Sequence, residues 1–468
     1  MKIKILKSVF FIVIIDILFL ILASILYKGS YNNIELGIKY VSLITTIFII
    51  WSIGSLITID KNILSPNIIF FLSTIFFNCG AILLYCFGEK DIFQKYLYVP
   101  QYNIFKAIYI TLIATIMLHL GSIVLIKNRK KICVQKNDKF NDYYILGLVG
   151  FVLLSVSFLP YLLEVIKMIR NVNNGTYINA YYVDKSVLST FILPAIIFLL
   201  ATGEKYRITK YLSLIVLIIY VGPLLYIGRR GQAFVAIISY IWLYDRRIKK
   251  INRKLIVIFG CISIFIVMPT ISVLRQLQDK SIVEFINTFK SIENPIKFIL
   301  EESGITFMNT AYVDYLLPSN GHHFGLDYIF AILSSIPNLV YKFNYYNIIG
   351  NPGVWITKIM APNIAAIGGG LGFNYIAEAY LNFSILGVAI IPFLLGFILR
   401  KIDNMRNLIT EIGLAIFISF LPMYSRGTAY DIFRPTVWYI LFPILLFYII
   451  KDYKRKKIFF KYKVKVNK

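Results

Sequence analysis

Apolar residues fall in long runs from one end of the chain to the other, broken by short polar connections, and the runs are of the length a helix needs to cross about 30 Å of hydrocarbon. Reading each run against its flanks predicts twelve spans, over residues 5–27, 40–59, 66–87, 107–126, 143–165, 187–202, 211–227, 232–244, 255–273, 373–399, 407–421 and 435–450. The first opens after MKIKILK with no small-residue cleavage site behind it, so it reads as an uncleaved helix rather than a signal peptide. The expected fold is an all-α polytopic membrane protein of about twelve transmembrane helices. Residues 1–273 hold the first nine spans, 274–372 form one large loop, 373–450 hold the last three and 451–468 form a basic tail.

Composition agrees with that pattern. At 58% hydrophobic and 15% charged, the 468 residues do not make a string of soluble domains, in which about a quarter of residues carry charge. Cys79, Cys86, Cys133 and Cys261 lie in or beside apolar runs without a CxxC pair, which indicates neither a disulfide framework nor a zinc site. A net charge of +26 would suggest nucleic acid for a soluble chain, but the 49 basic residues sort by connection. With the N-terminus inside, 31 fall in inner segments and 18 in outer ones. Positive charge is retained on the cytoplasmic side, so both termini are expected there, in a bacterial plasma membrane, with the tail KDYKRKKIFFKYKVKVNK anchored on anionic lipid and no nucleic acid bound. The two halves do not repeat each other in charge or Gly/Pro breaks, which argues against an inverted-repeat transporter.

The inner connections are short basic stubs, so candidate chemistry concentrates outside. Three helices, the eighth, tenth and twelfth, run from outside to inside, with free N–H groups and positive dipole ends at the outer surface. GRRGQ with Arg229 and Arg230 opens the eighth, GGGLG opens the tenth, and Arg434 before Pro435 opens the twelfth, proline suiting a first helical position. Arg426 lies in the same last outer loop. Guanidinium forks beside helix N-termini suit a diphosphate, although isolated arginines at span ends also snorkel to headgroups. Glu378, in an apolar helix next to the triple glycine, must be paired or neutral there, and one of the arginines is the expected partner.

Of the three histidines, His119 in the fourth span reads as a packed, hydrogen-bonded residue. His322 and His323 lie in the large loop, either as surface residues or, as imidazole, taking a proton from an attacking hydroxyl. Asp16 in the first span has no motif beside it. No HExxH or DxD spacing offers metal ligands, so no metal is expected. The large loop is nearly neutral, and SIVEFINTFKSIEN and GLDYIFAILSSI carry apolar residues at helical spacing, Ile282, Phe285, Ile286 and Phe289 in the first. It is expected to fold as a cap. Tyr341, Phe343, Tyr345, Tyr346 and Trp355, with Tyr177, Tyr181 and Tyr182 on the outer loop expected to neighbour it, suit either sugar rings or a bilayer interface.

Two segments carry a resemblance. GRRGQAFVAIISYIWLY resembles the [GS]-x-R-G helix start of bacterial Wzy-type polysaccharide polymerases and O-antigen ligases. GGGLGFNYIAEAYLNFSILG is similar to the segment that many Wzy-type polymerases carry after their large outer loop, and the layout of spans agrees. The resemblance implies a glycosyltransferase of the GT-C type with no metal and no cofactor. It would transfer a growing glycan from undecaprenyl diphosphate to the non-reducing end of a new lipid-linked repeat unit. The implied partners are undecaprenyl-diphosphate-linked oligosaccharides, membrane lipids and a chain-length regulator. Arg229, Arg230 and Glu378 carry over by motif, His323 and Arg434 by position in the layout, with Glu378 and His323 as the expected catalytic residues and Arg229, Arg230, Arg434 and Arg426 as the expected diphosphate-binding ones. An O-antigen ligase, a flippase of lipid-linked sugars and a structural scaffold are the rival readings.

Overall fold

The computed structural model describes residues 2–60, 62–125, 140–173, 186–276, 294–343, 350–405 and 407–466, with 283, 286 and 287. The basic stretch 127–139, the three tyrosines of 177–182, Tyr345 and Tyr346, and most of the amphipathic stretch 282–289 lie outside the described residues. Among the described residues the chain is helical, with no strand. In chain order the main helices are α1 (Ser8–Gly29), α2 (Ile34–Asp60), α3 (Pro66–Cys86), α4 (Gln101–Val124), α5 (Asp142–Asn173), α6 (Ser189–Thr202) and α7 (Arg207–Tyr226). After them come α8 (Arg230–Leu243), α9 (Arg253–Val273), α10 (Pro295–Gly304), α11 (Met308–Asn320), α12 (Leu326–Leu333) and α13 (Pro352–Met360). The chain closes with α14 (Tyr375–Asp403), α15 (Leu408–Ile418) and α16 (Tyr430–Lys456).

Each expected span falls on one of these helices. Among the described residues nine are long and apolar enough to cross a membrane, α6 and α15 are shorter apolar helices, and α8 has 14 residues. Start signals in the sequence fix several of them. Asn294 before Pro295, Asn351 before Pro352 and Asn374 before Tyr375 each accept a backbone N–H of the first turn through the side chain, satisfying donors that have no partner inside the helix. The large loop contributes the helical pieces α10 to α13. In α12, Asp327 and Phe330 are buried while Ile329 and Ile332 face outward.

Two compact units divide the chain. The first comprises Met1–Lys131, Asn294–Asn404 and Leu421–Arg434, and the second Ile132–Glu293, Met405–Phe420 and Pro435–Lys468. In the first, α4 and α14 touch backbone to backbone. A Cβ on Gly121 would lie 2.0 Å from the Phe393 carbonyl oxygen, and one on Gly396 would lie 2.4 Å from that of Leu118, so only glycine fits at this crossing. Several buried polar side chains inside the same bundle are paired with one another. Asp16 accepts from the indole of Trp51 at 3.1 Å and meets His119 Nδ1 at 2.7 Å, and His119 Nε2 lies 2.8 Å from Ser55 Oγ. His119 is thus the packed, bonded residue expected, and Asp16 has the partner that its sequence neighbourhood did not reveal. Arg400 and Asp60 form a second buried tie, 2.6 Å apart, joining α14 to α2. Removing one partner of such a pair typically costs about 3–5 kcal/mol, because the other is left charged in a dry interior.

Candidate active site

The first turn of α14 places Glu378 with no exposed surface at all. Asn374 caps that turn by accepting from Ala377 N–H at 2.7 Å, which fixes the direction in which Glu378 leaves the helix. Both carboxylate oxygens accept from the backbone N–H of Ala429, at 3.1 and 2.9 Å, just ahead of α16. The arginine expected as its partner is a correction: Glu378 makes no ion pair with an arginine among the described residues. A carboxylate at the start of a helix satisfies orphan N–H groups and opposes the positive dipole end, so a cation is not required.

The loop that Glu378 holds is tied down elsewhere too. The Asn78 amide donates to the Ser425 carbonyl at 2.8 Å, the Asn351 amide to Thr428 Oγ1 at 3.1 Å, and Thr428 N–H to Asp431 Oδ2 at 2.9 Å. Arg426 and Arg434 are both exposed on this stretch, Arg426 with its guanidinium 5.3 Å from the centre of the Phe77 ring. The expected opening of the last helix at Pro435 is also corrected. That helix starts at Tyr430, so Arg434 sits in its second turn rather than at its cap. Pro435 lies within the helix, and the turns after it, Thr436–Leu441, widen to a π-helix, the adjustment by which a helix absorbs a missing N–H.

The EAYLNFS segment is not a regular helix. Phe383 (φ −136°, ψ 19°) and Ser384 (φ +55°, ψ −150°) break α14 two turns in, and a non-glycine residue in that region is held there only by its surroundings. The break releases the Leu381 carbonyl, which accepts from His323 N–H at 3.1 Å and lies 3.1 Å from His322 Nδ1. Asn382 accepts from Gly325 N–H at 2.9 Å and donates to Asp327 Oδ2 and to the Glu378 carbonyl, both at 2.9 Å.

His323 is buried, with Nδ1 2.8 Å from Asp327 Oδ2 and its ring edge-on to Trp355 at 5.3 Å. The dyad has the form of an oriented base: the carboxylate fixes which way the imidazole faces and stabilises it when it gains a proton. Trp355, expected among the loop aromatics as a sugar platform or interface residue, is spent on packing His323, whereas Tyr341 and Phe343 are exposed. Beside them the Tyr328 hydroxyl is buried with no hydrogen-bond partner among the described residues, its ring parallel to Phe383. Burial, reinforced by Glu378, holds the Tyr328 phenol well above its ordinary pKa, so it stays a neutral donor. Asp327, Asn382 and Tyr328 were not singled out from the sequence. The four-residue spacing of His323 and Asp327 across a helix start was the available signal.

The second unit carries Arg229 and Arg230. Gly228 takes φ +84°, a conformation suited to glycine, and turns the chain so that Arg229 caps α8 and Arg230 is its first residue. Arg229 is buried, and so is Glu164, which accepts from Ser189 Oγ at 2.6 Å. Arg230 is half-buried and donates to the Met268 carbonyl at 3.0 Å and to Ser272 Oγ. The expected sites therefore divide, with Glu378, His323, Arg426 and Arg434 in the first unit and Arg229 and Arg230 in the second.

An all-helical protein with nine long apolar spans among its described residues, carrying an oriented His–Asp pair and a buried carboxylate, has the makings of a polytopic membrane enzyme. The chain belongs to the Wzy family: the family model for O-antigen polysaccharide polymerase Wzy matches residues 8–457. It is also similar to Protein CapE of Staphylococcus aureus, 26% identical over 443 residues that cover 88% of this chain and 93% of that protein. No solved structure matches the chain. The protein is accordingly a polysaccharide-polymerising membrane enzyme, and its family implies lipid-linked repeat units as substrates.

Proposed function

We infer that the protein joins undecaprenyl-diphosphate-linked oligosaccharide repeat units into O-antigen or capsular polysaccharide at the outer face of the plasma membrane, crossing it twelve times with both termini in the cytoplasm. In this reading an acceptor sugar hydroxyl attacks the anomeric carbon of the donor glycan. The bond from that carbon to the diphosphate oxygen breaks, and the hydroxyl proton passes to His323. Asp327 orients that imidazole. Arg229 and Arg230 receive the charge growing on the leaving diphosphate, the part of the transition state where preorganised donors contribute most. Glu378 acts as a positioning residue, fixing the loop that carries Arg426 and Arg434.

The observation that supports this most directly is the network that joins Glu378 and Asn382, in the segment resembling Wzy-type polymerases, to Asp327 and His323 of the large loop. A deletion strain is expected to carry a single repeat unit per lipid carrier. Unattached full-length polymer would point to a ligase, and loss of outward-facing units to a flippase. Purified enzyme is expected to extend lipid-linked units in EDTA; abolition by chelation with rescue by magnesium would overturn the arginine-based mechanism. For topology, a periplasm-active phosphatase fused after Ser291 should be active and one after Lys250 inactive, and the reverse pattern would put the proposed site on the wrong side.

A further inference from the structure

At the end of α7 and α8 opposite the arginine turn, about 20 Å away along the helices, the second unit has a cleft of about 420 Å³. Leu214, Tyr240, Ile241 and Ile251 give it an apolar wall, and Lys210 and Tyr211 stand at its edge. Arg207 donates to the Tyr211 hydroxyl at 3.3 and 3.2 Å, and the Lys210 ammonium lies 4.8 Å from the centre of the same ring, so both cations are gathered at one rim. Because Ile251 belongs to the wall, Lys249 and Arg253, two residues to either side, are carried to that region as well.

The acids at this end are already engaged. Asp245 holds Lys250 at 2.6 Å and Ile251 N–H at 2.8 Å. Glu411 holds Arg246 at 2.8 Å and also Arg247, and Glu204 accepts from the Tyr143 hydroxyl at 2.9 Å. Arg207, Lys210, Lys249 and Arg253 have no acidic partner among the described residues. Cations at a span end alone would be the common basic fringe of a membrane protein. Here they border an apolar cleft among helices that face hydrocarbon, which calls for one molecule bearing an anionic head and an apolar chain.

We propose that this cleft binds an anionic glycerophospholipid, its phosphate diester held by Arg207 and Lys210 and one acyl chain laid along Leu214, Ile241 and Ile251. A zwitterionic lipid carries its own cation and would leave the rim uncompensated. The assignment does not depend on which membrane face is cytoplasmic, nor on the polymerase reading.

The test is native mass spectrometry of the full-length protein in detergent, titrated with phosphatidylglycerol or with phosphatidylcholine of the same acyl chains. Phosphatidylglycerol is expected to bind at least fivefold more tightly. That preference should vanish in the Arg207→Gln, Lys210→Gln double variant, while Leu214→Trp, which fills the cleft at a 41% exposed position without altering charge, should weaken binding comparably. Glycerol phosphate should not displace the lipid. Equal binding of the two lipids, wild-type binding by Leu214→Trp, or displacement by glycerol phosphate would each overturn the proposal. Displacement by an equimolar polyprenyl diphosphate would assign the cleft to the substrate's lipid instead.

Discussion

In the first unit the buried ionisable groups of the site are acids and an imidazole, held by a backbone N–H, a carboxamide and one another: Ala429 N–H on Glu378, the Asn382 amide on Asp327, and Asp327 beside the His323 imidazole. In the second the candidate groups are the buried Arg229 and the half-buried Arg230, which donates to a carbonyl and a hydroxyl. Arg246 and Arg247 of the same unit behave differently, since both form ion pairs with the Glu411 carboxylate. The contrast separates two ways of keeping charge in a membrane protein. Where the groups are part of the scaffold, altering them should damage fold and activity together. Where a guanidinium at a turn donates to a carbonyl and a hydroxyl, as Arg230 does, altering it should damage activity first.

The largest effect that sharpens this contrast is expected from Arg229→Ala and Arg230→Ala. Loss of one charged donor to a developing oxyanion costs about 3 kcal/mol, roughly a hundredfold or more in rate, with insertion and abundance unchanged. Lysine should rescue only in part, because it keeps the charge and loses the fork. A chain-length ladder read beside membrane abundance checks this, and normal ladders would mean that the arginines merely anchor headgroups. His323→Ala should follow, at about a hundredfold if the imidazole is the base. Its partner variant Asp327→Asn should lose about tenfold and shift the pH–rate profile, which loss of packing alone would not do. Glu378→Ala should lower the unfolding midpoint as well as the rate, since it strips a buried backbone donor of its acceptor at a cost of about 1–3 kcal/mol. A loss of rate with unchanged stability would move Glu378 from the scaffold to the chemistry. Exposed Arg434→Ala should have the smallest effect, a few-fold shortening of the polymer.

The spans were legible because crossing hydrocarbon requires unbroken apolar length, and Arg229 and Arg230 because glycines around a charged pair mark a helix start. The partner of Glu378 was not, since a backbone N–H leaves no trace in residue identity. Asp16 and His119 lie 103 residues apart, and nothing local joins them. The start of α16 was misplaced because proline marks a first turn only on average, and here a π-helix after Pro435 absorbs the lost bond. Asp327 was hidden among the loop's other acids, although its spacing from His323 puts both at one helix start. The break at Phe383 and Ser384 lies in an apolar stretch whose composition favours an unbroken helix.

The bond between Glu378 and Ala429 spans 51 residues of chain, and synthesis runs in one direction. At about 5–20 residues per second the ribosome needs roughly three to ten seconds to get from one to the other. For that interval the tenth apolar segment is handed to the insertion machinery with its carboxylate still lacking the backbone donor that will hold it. The loop just ahead of the final helix therefore acts as a latch, and a nascent chain halted before it would present Glu378 to the quality-control proteases that survey unfinished membrane proteins.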